Sequence, residues 1–275
     1  MIAQRNLSLL ANRLAKEGGQ RMRDDVLERD YCLAWLLSFI GESELGAALA
    51  FKGGTALKRC YFGDYRFSED LDFSLLREMS LEMIKGHLEE IYKKIYEASG
   101  IQFSFDHEEP KHSNSYTFYL RYVGPMSTAN TVKVDITIRE EMVFKLEQRP
   151  ILKAYNEYSD LPENRFIATY SLDEIASEKT MALADPARNE PRDLYDLWQL
   201  TTEKEVSLDH LADPICRKLQ LRKKSCEGIA DRILAKEARL RKLWTSRLAY
   251  QMSILPPYET VFRSVKRSLR QANLP

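Results

Sequence analysis

The sequence predicts an α+β protein, with a mixed-sheet domain over residues 1–168 and a helical domain over 169–275. Three observations predict it. Between residues 48 and 138, short apolar runs and alternating apolar–polar segments recur, the period-2 signature of buried and half-buried strands. After Phe166-Ile167-Ala168-Thr169 the apolar spacing is helical to the end. Of 275 residues, 44% are hydrophobic and 30% charged, enough to build a core and too apolar for wholesale disorder.

The elements follow in order. Val26, Leu27, Tyr31, Leu33, Leu36, Leu37 and Ile40 recur at helical spacing, and Gly41 closes that helix. Ala48-Leu49-Ala50-Phe51 reads as a buried strand running into Lys52-Gly53-Gly54-Thr55 and a short helix from Ala56 to Tyr61. A second strand is predicted over Asp70 to Leu75 and a helix over Leu81 to Ala98. Strands follow over Ile101 to Phe105, Tyr116 to Val123 and Thr131 to Ile138. Ser171-Leu172-Asp173-Glu174 has the form of a capping box, opening a helix through Lys179 to Ala184. Pro191 starts the next helix, which carries Arg192-Asp193-Leu194-Tyr195-Asp196.

Several classes are excluded or disfavoured. No apolar run approaches the roughly 20 residues that cross a bilayer. The opening Met1-Ile2-Ala3-Gln4-Arg5 lacks the apolar core of a secretory signal, and the expected location is the cytoplasm. Cys32, Cys60, Cys216 and Cys226 contain no C-x-x-C pair and are expected to be reduced thiols, not zinc ligands. His107 and His112, in a polar loop, are expected to be solvated. The 41 basic and 41 acidic residues cancel, but unevenly: from Ile215 to Pro275 there are 15 basic against 4 acidic residues, leaving 26 against 37 before them. Such a split marks either a polyanion-binding appendage or a basic face docked on acidic neighbours.

The chemistry-bearing stretch is Lys52-Gly53-Gly54-Thr55-Ala56-Leu57, then Arg66-Phe67-Ser68-Glu69-Asp70-Leu71-Asp72-Phe73. On a strand, Asp70 and Asp72 share one face at about 7 Å between Cα atoms, while Leu71 and Phe73 anchor the other. Adjacent carboxylates suit a divalent cation, and Mg²⁺ prefers one or two carboxylates plus phosphate oxygens. A Gly-Gly turn lets backbone approach phosphate. Asp135 lies mid-strand, on the face opposite Val132, Val134, Ile136 and Ile138, as a third acid for a two-metal site. A lone D-x-D is usually a solvated strand edge; the combination of turn, short helix and acids is what points to metal–nucleotide chemistry. No G-x-x-x-x-G-K-[ST] occurs, which excludes a P-loop.

This long pattern resembles the AbiEii/AbiGii-type toxins, a branch of the DNA polymerase β-like nucleotidyltransferase superfamily. The later elements of that branch are matched by Glu178-Lys179-Thr180-Met181-Ala182-Leu183 and by Arg192-Asp193-Leu194-Tyr195-Asp196. The resemblance implies a polymerase β-like mixed-sheet domain with a helical C-terminal domain. It implies a toxin of a toxin–antitoxin or phage-abortive-infection system, using Mg²⁺ (or Mn²⁺) and an NTP to add nucleotides to RNA, the tRNA 3′ end above all. Carried over by position, Asp70, Asp72 and Asp135 would bind metal, and Lys179 would hold the triphosphate with Asp193 completing the pocket. Gly53, Gly54, Thr55, Arg66 and Ser68 would line the nucleotide site, with Arg66 either on phosphate or paired with Glu69. Asp196 either shares the site or fixes Arg192 or a neighbouring helix. A DNA-binding antitoxin and a monomeric toxin are also expected. Arg263, Lys266, Arg267 and Arg270 share one helical face and are the predicted RNA contacts. Two other readings stay open: transfer to a protein or small molecule, and a catalytically silent RNA- or partner-binding protein.

Overall fold

A computed structural model describes residues 1–110, 112–204, 206–272 and Leu274; Lys111 of the polar loop and Asn273 and Pro275 of the tail fall outside that set. The chain divides into two compact units. The first comprises Met1–Glu140, Leu146–Tyr170 and Gln251–Ser253; the second comprises Glu141–Lys145, Ser171–Tyr250 and Ile254–Pro275.

In the first unit, α1 (Gln4–Lys16) and α2 (Asp24–Gly41) precede β1 (Leu49–Lys52). The Gly-Gly pair opens α3 (Gly53–Ala56), which runs on as a π-helical turn over Leu57–Tyr61. Then come β2 (Leu71–Leu75), α4 (Leu81–Ser99), β3 (Gln102–Glu108), β4 (Ser115–Val123) and β5 (Ala129–Thr137). The α4 helix starts where the Ser80 hydroxyl accepts from the Met83 amide and stops at left-handed Gly100. Two strands that the apolar pattern does not announce, β6 (Glu147–Pro150) and β7 (Phe166–Thr169), complete a seven-stranded sheet. Polar Glu147-Gln148-Arg149-Pro150 is a strand because β7 pairs with it, not through its own propensity.

The sheet order is β3-β4-β5-β2-β1-β7-β6. The second strand lies at its centre, antiparallel to β1 and parallel to β5. On one face Leu71, Phe73, Phe118, Val134 and Ile136 are buried, together with Leu36 of α2 and Ile84 and Leu88 of α4. Burying that apolar face turns the alternate residues, the acids among them, to the opposite side.

The second unit is helical: α5 (Leu172–Ala184), α6 (Pro191–Glu203), α7 (Ala212–Leu221), α8 (Ile229–Leu234), α9 (Glu237–Leu248) and α10 (Tyr258–Gln271). Helix α6 touches α5, α9 and α10. Only half of the expected capping box forms. The Ser171 hydroxyl accepts from the Glu174 amide at 3.2 Å, but the Glu174 carboxylate points elsewhere. It accepts from the amides of Val143 and Phe144, at 2.9 and 2.8 Å, and binds the Lys218 ammonium. A buried carboxylate takes the partners that complete its shell, and here these come from a distant segment and from α7. All four cysteines are free, and burial together with the neighbouring Cys226 pushes the Cys216 thiol up. Among the described residues no helix is long and apolar enough to cross a membrane.

Candidate active site

The strand registers place the acids side by side on the face of the first unit's sheet opposite its apolar side, where Asp72 and Asp135 are half-buried. Lys52 pairs with Asp72 across β1 and β2, and Asp72 pairs with Asp135 across β2 and β5. Asp70 precedes β2 by one residue, and its carbonyl accepts from the Thr55 hydroxyl at 2.5 Å. Asp135 is next to Asp72 in register, but its oxygens are engaged by the Thr117 hydroxyl at 2.6 Å and the Lys133 ammonium at 2.9 Å. Lys133 stands two residues before Asp135 on the same strand face, and Thr117 is its pairing partner on β4. Among the described residues no three His, Cys, Asp or Glu side chains converge as a metal cluster. The expected three-acid cluster is thus not formed in this structure among the described residues, where Asp135 is engaged by its own strand and its neighbour. Two hard carboxylates on one strand face fit Mg²⁺, which takes its remaining ligands from phosphate and water.

The glycine turn fits around these side chains. Gly53 has φ +79°, and a Cβ there would stand 2.4 Å from Asp72 Oδ2. A Cβ on Gly54 would stand 2.4 Å from Arg66 Nη2 and 3.3 Å from Ser68 Oγ. Gly53 is favoured by both its positive φ and the crowding of Asp72, whereas at Gly54 a side chain would have to displace the Arg66 guanidinium. Arg66 is 1% exposed and donates to Gln251 Oε1 at 3.1 Å. It therefore wedges under the turn rather than reaching into solvent, and Glu69 pairs with Arg29 at 3.4 Å instead. Thr55 is buried too, so its visible role is to tie the short helix to the carbonyl of Asp70. Lys52 donates to Thr137 at 2.9 Å and lies 3.6 Å from Glu140.

The second unit holds a separate ionic cluster. Lys179 of α5 lies 2.8 Å from Asp193 Oδ1 and 2.6 Å from Asp196 Oδ2, both on α6. The three-residue spacing of the two acids puts them on one helical face. All three residues are buried. Arg188, in the α5–α6 connection, donates through Nε to Asp193 Oδ2 at 2.6 Å. Burial pushes the Asp193 carboxyl up, but Lys179 and Arg188 outweigh it and hold the group below its ordinary value. Asp196 is an ion-pair partner of Lys179, and Arg192 lies 3.9 Å from Glu190. Arg188 escaped the sequence reading because nothing in Asp185-Pro186-Ala187-Arg188 distinguishes it from any loop arginine.

The basic tail separates into neutralised and unneutralised parts. Arg217 pairs with Glu141, Lys218 with Glu174 and Glu178, Arg222 with Glu178, and Lys224 with Asp185. Arg241 pairs with Glu237 and Glu259. On α10, Val261, Phe262, Val265 and Leu269 are buried, and Arg263, Lys266, Arg267 and Arg270 line a shallow recess on the opposite side. Among the described residues none of these four has an acidic partner. His107 and His112 are exposed, as expected for solvated histidines.

The family model for the nucleotidyl transferase AbiEii toxin of type IV toxin–antitoxin systems matches residues 35–267. Among solved structures the chain is similar to MenT4, a nucleotidyltransferase toxin of Mycobacterium tuberculosis H37Rv. The TM-score is 0.60 at 16% identity, over 96% of this chain and 88% of that one, a likeness of fold. No protein of curated function matches it by sequence.

Proposed function

Since the chain belongs to the AbiEii nucleotidyltransferase toxin family of type IV toxin–antitoxin systems, we propose that it transfers a nucleotide from an NTP to RNA, specifically to the 3′ end of tRNA. The observation that carries this reading is the fit of Gly53 against Asp72, with Asp70 beside it at the start of β2. The acids are anchored on a buried strand, so their direction is fixed before any ligand arrives. Asp70 and Asp72 hold the divalent cation, Mg²⁺ or Mn²⁺, with Asp135 as the neighbouring acid. That ion supplies charge neutralisation at the phosphates and lowers the pKa of the attacking hydroxyl. Gly53, Gly54 and Ser68 shape the wall met by the nucleotide, and Arg66 and Thr55 keep that wall in place. The Lys179–Asp193 cluster belongs to the triphosphate-binding apparatus. In the reaction the acceptor hydroxyl loses its proton, a bond from its oxygen to the α-phosphorus forms, and the bond to pyrophosphate breaks.

RNA is favoured over a protein or small-molecule acceptor by the four cations of α10, which face no acids among the described residues. The family implies an antitoxin partner. A DNA-binding antitoxin, a role in phage defence, a cytoplasmic location and a monomeric state complete the proposal by resemblance. The test is incubation with total bacterial RNA, Mg²⁺ and each labelled NTP in turn, followed by sequencing of labelled 3′ ends. Label confined to tRNA 3′ ends supports the reading; label on protein or on free small molecules overturns it.

A further inference from the structure

The lysine that the motif singles out in the second unit sits in anionic surroundings, and an arginine beside it does not share its burial. Lys179 is enclosed between two carboxylates and its side chain is 11% exposed. Lys179 with Asp193 and Asp196 carries a net charge of −1, so an incoming polyphosphate meets repulsion from that trio rather than a cation. Arg188 brings the set to zero, and 43% of its side chain is exposed. Its guanidinium is oriented by Asp193, through Nε at 2.6 Å and Nη2 at 3.3 Å.

A second cation stands behind it. The Lys236 ammonium donates to the carbonyls of Asp185 and Arg188, the latter at 2.7 Å, and forms no ion pair within 4 Å among the described residues, though Asp185 and Asp193 are near enough to act on it. The nearest acid on that loop, Asp185, is already matched by Lys224 at 2.6 Å. Lysine is rarely withdrawn from water without an anion, and this one is only half-buried, held against the carbonyls that carry Arg188. The formal charges of Lys179, Arg188, Lys224 and Lys236 with Asp185, Asp193 and Asp196 sum to +1. An exposed guanidinium oriented by a buried carboxylate, with a further ammonium behind it, is the arrangement that receives phosphate oxygens.

We propose that Arg188, backed by Lys236, is the group in this unit that contacts the nucleotide's phosphates, and that Lys179 is a positioning residue that fixes Asp193 and Asp196. The inference rests on the reading that this cluster binds the triphosphate. It is tested on the full chain by titrating inorganic tripolyphosphate with Mg²⁺ into wild type, Arg188→Gln, Arg188→Lys, Lys236→Gln and the double variant Lys179→Met/Asp196→Asn. The double variant removes a cation and an anion together, so a buried charge is not stranded. Arg188→Gln is expected to weaken binding about tenfold or more, the scale of one charge-assisted hydrogen bond. Arg188→Lys should recover part of that loss, Lys236→Gln should weaken binding less, and the double variant should lower affinity least. Unchanged affinity in Arg188→Gln with a large loss in the double variant overturns the assignment while leaving the cluster as the triphosphate site. Unchanged affinity in all four, with wild type binding tripolyphosphate, overturns both. Should Arg188→Gln fail to fold, the ranking of Arg188→Lys against Lys236→Gln decides.

Discussion

Asp72 and Asp135 stand opposite one another in the parallel pairing of β2 and β5, yet their surroundings differ. Asp135 is held by Thr117 and Lys133, whereas Asp72 lies against the backbone of Gly53, so close that a Cβ would come within 2.4 Å. The two acids share a face but not an environment. Asp135 carries its own counter-charge, and Asp72 is placed by the turn that precedes it.

Asp70→Asn and Asp72→Asn should each abolish nucleotide transfer. Each change removes a metal-binding charge and relieves repulsion between neighbouring carboxylates, so the melting temperature should hold or rise slightly. Mn²⁺ binding followed by electron paramagnetic resonance checks the assignment separately from turnover. Undiminished Mn²⁺ affinity in both variants would remove these acids from the metal site.

Gly53→Ala should damage activity more than stability. Alanine at positive φ costs about 1–2 kcal/mol, and the new methyl group displaces Asp72 Oδ2 from its place. A misplacement of that kind at a reacting centre costs on the order of 100-fold in rate. The measurement is kcat against melting temperature for Gly53→Ala beside Gly63→Ala, whose Cβ would meet nothing within 4 Å. Equal effects at the two glycines would refute the close-approach argument.

Lys179→Ala should destabilise the protein by about 3 kcal/mol, because it removes the cation shared by two buried carboxylates and leaves Asp193 with Arg188. The pH dependence follows from Asp193, whose carboxyl is held below its ordinary value of 3.8. Its contribution to stability is present in full above that value and is lost as pH falls through the lower folded-state pKa. Without Lys179 the folded-state pKa rises, so the acid-side loss should begin at higher pH. Chemical denaturation across the acid range reads this directly; an unmoved acid limb would deny the coupling.

Lys58 provides a second linkage of the same sign, on the alkaline side. It is buried in the π-helical turn, donates to the Tyr65 carbonyl and the Tyr155 hydroxyl, and sits 4.2 Å from the Phe67 ring centroid. Burial pushes its pKa down to about 8 from an ordinary 10.5. Between those values the unfolded chain binds the extra proton, so stability attributable to Lys58 should rise with pH across that window. Wild type compared with Lys58→Met at about pH 8 and about pH 10 isolates the effect. A difference that does not change with pH would show that the lysine titrates normally.

Reversing Arg263, Lys266, Arg267 and Arg270 to Glu should weaken RNA binding and flatten its salt dependence, by up to about one unit of log–log slope for each phosphate no longer neutralised. These side chains have no acidic partner among the described residues, so the melting temperature should barely move. Reversing Lys218, which is buried between Glu174 and Glu178, should instead unfold the protein. A large thermal loss from the α10 reversal with unchanged RNA affinity would make that face structural.

The sequence by itself determined what is local and periodic. Alternation put Leu71 and Phe73 on one side and Asp72 on the other, and did the same for Asp135 among Val132, Val134 and Ile136, because side-chain direction along a strand is set by parity alone. The Gly-Gly turn, the helix from Leu81 and the helix from Pro191 were legible for the same reason. Only the tertiary structure decided which residues meet. Which strand lies beside β2, and hence that Asp72 faces Asp135, depends on sheet order. The polar strand β6 exists because β7 pairs with it. Glu174 abandons its capping role for Lys218, 44 residues away, and Asp193 gains Arg188 as well as Lys179. In the basic tail, composition yields one sum for all the cations. The fold sets Arg217, Lys218, Arg222 and Lys224 against nearby acids and leaves the α10 four without any among the described residues. The physical reason is range: ion pairs act over a few ångströms in space, and no count along the chain records that distance.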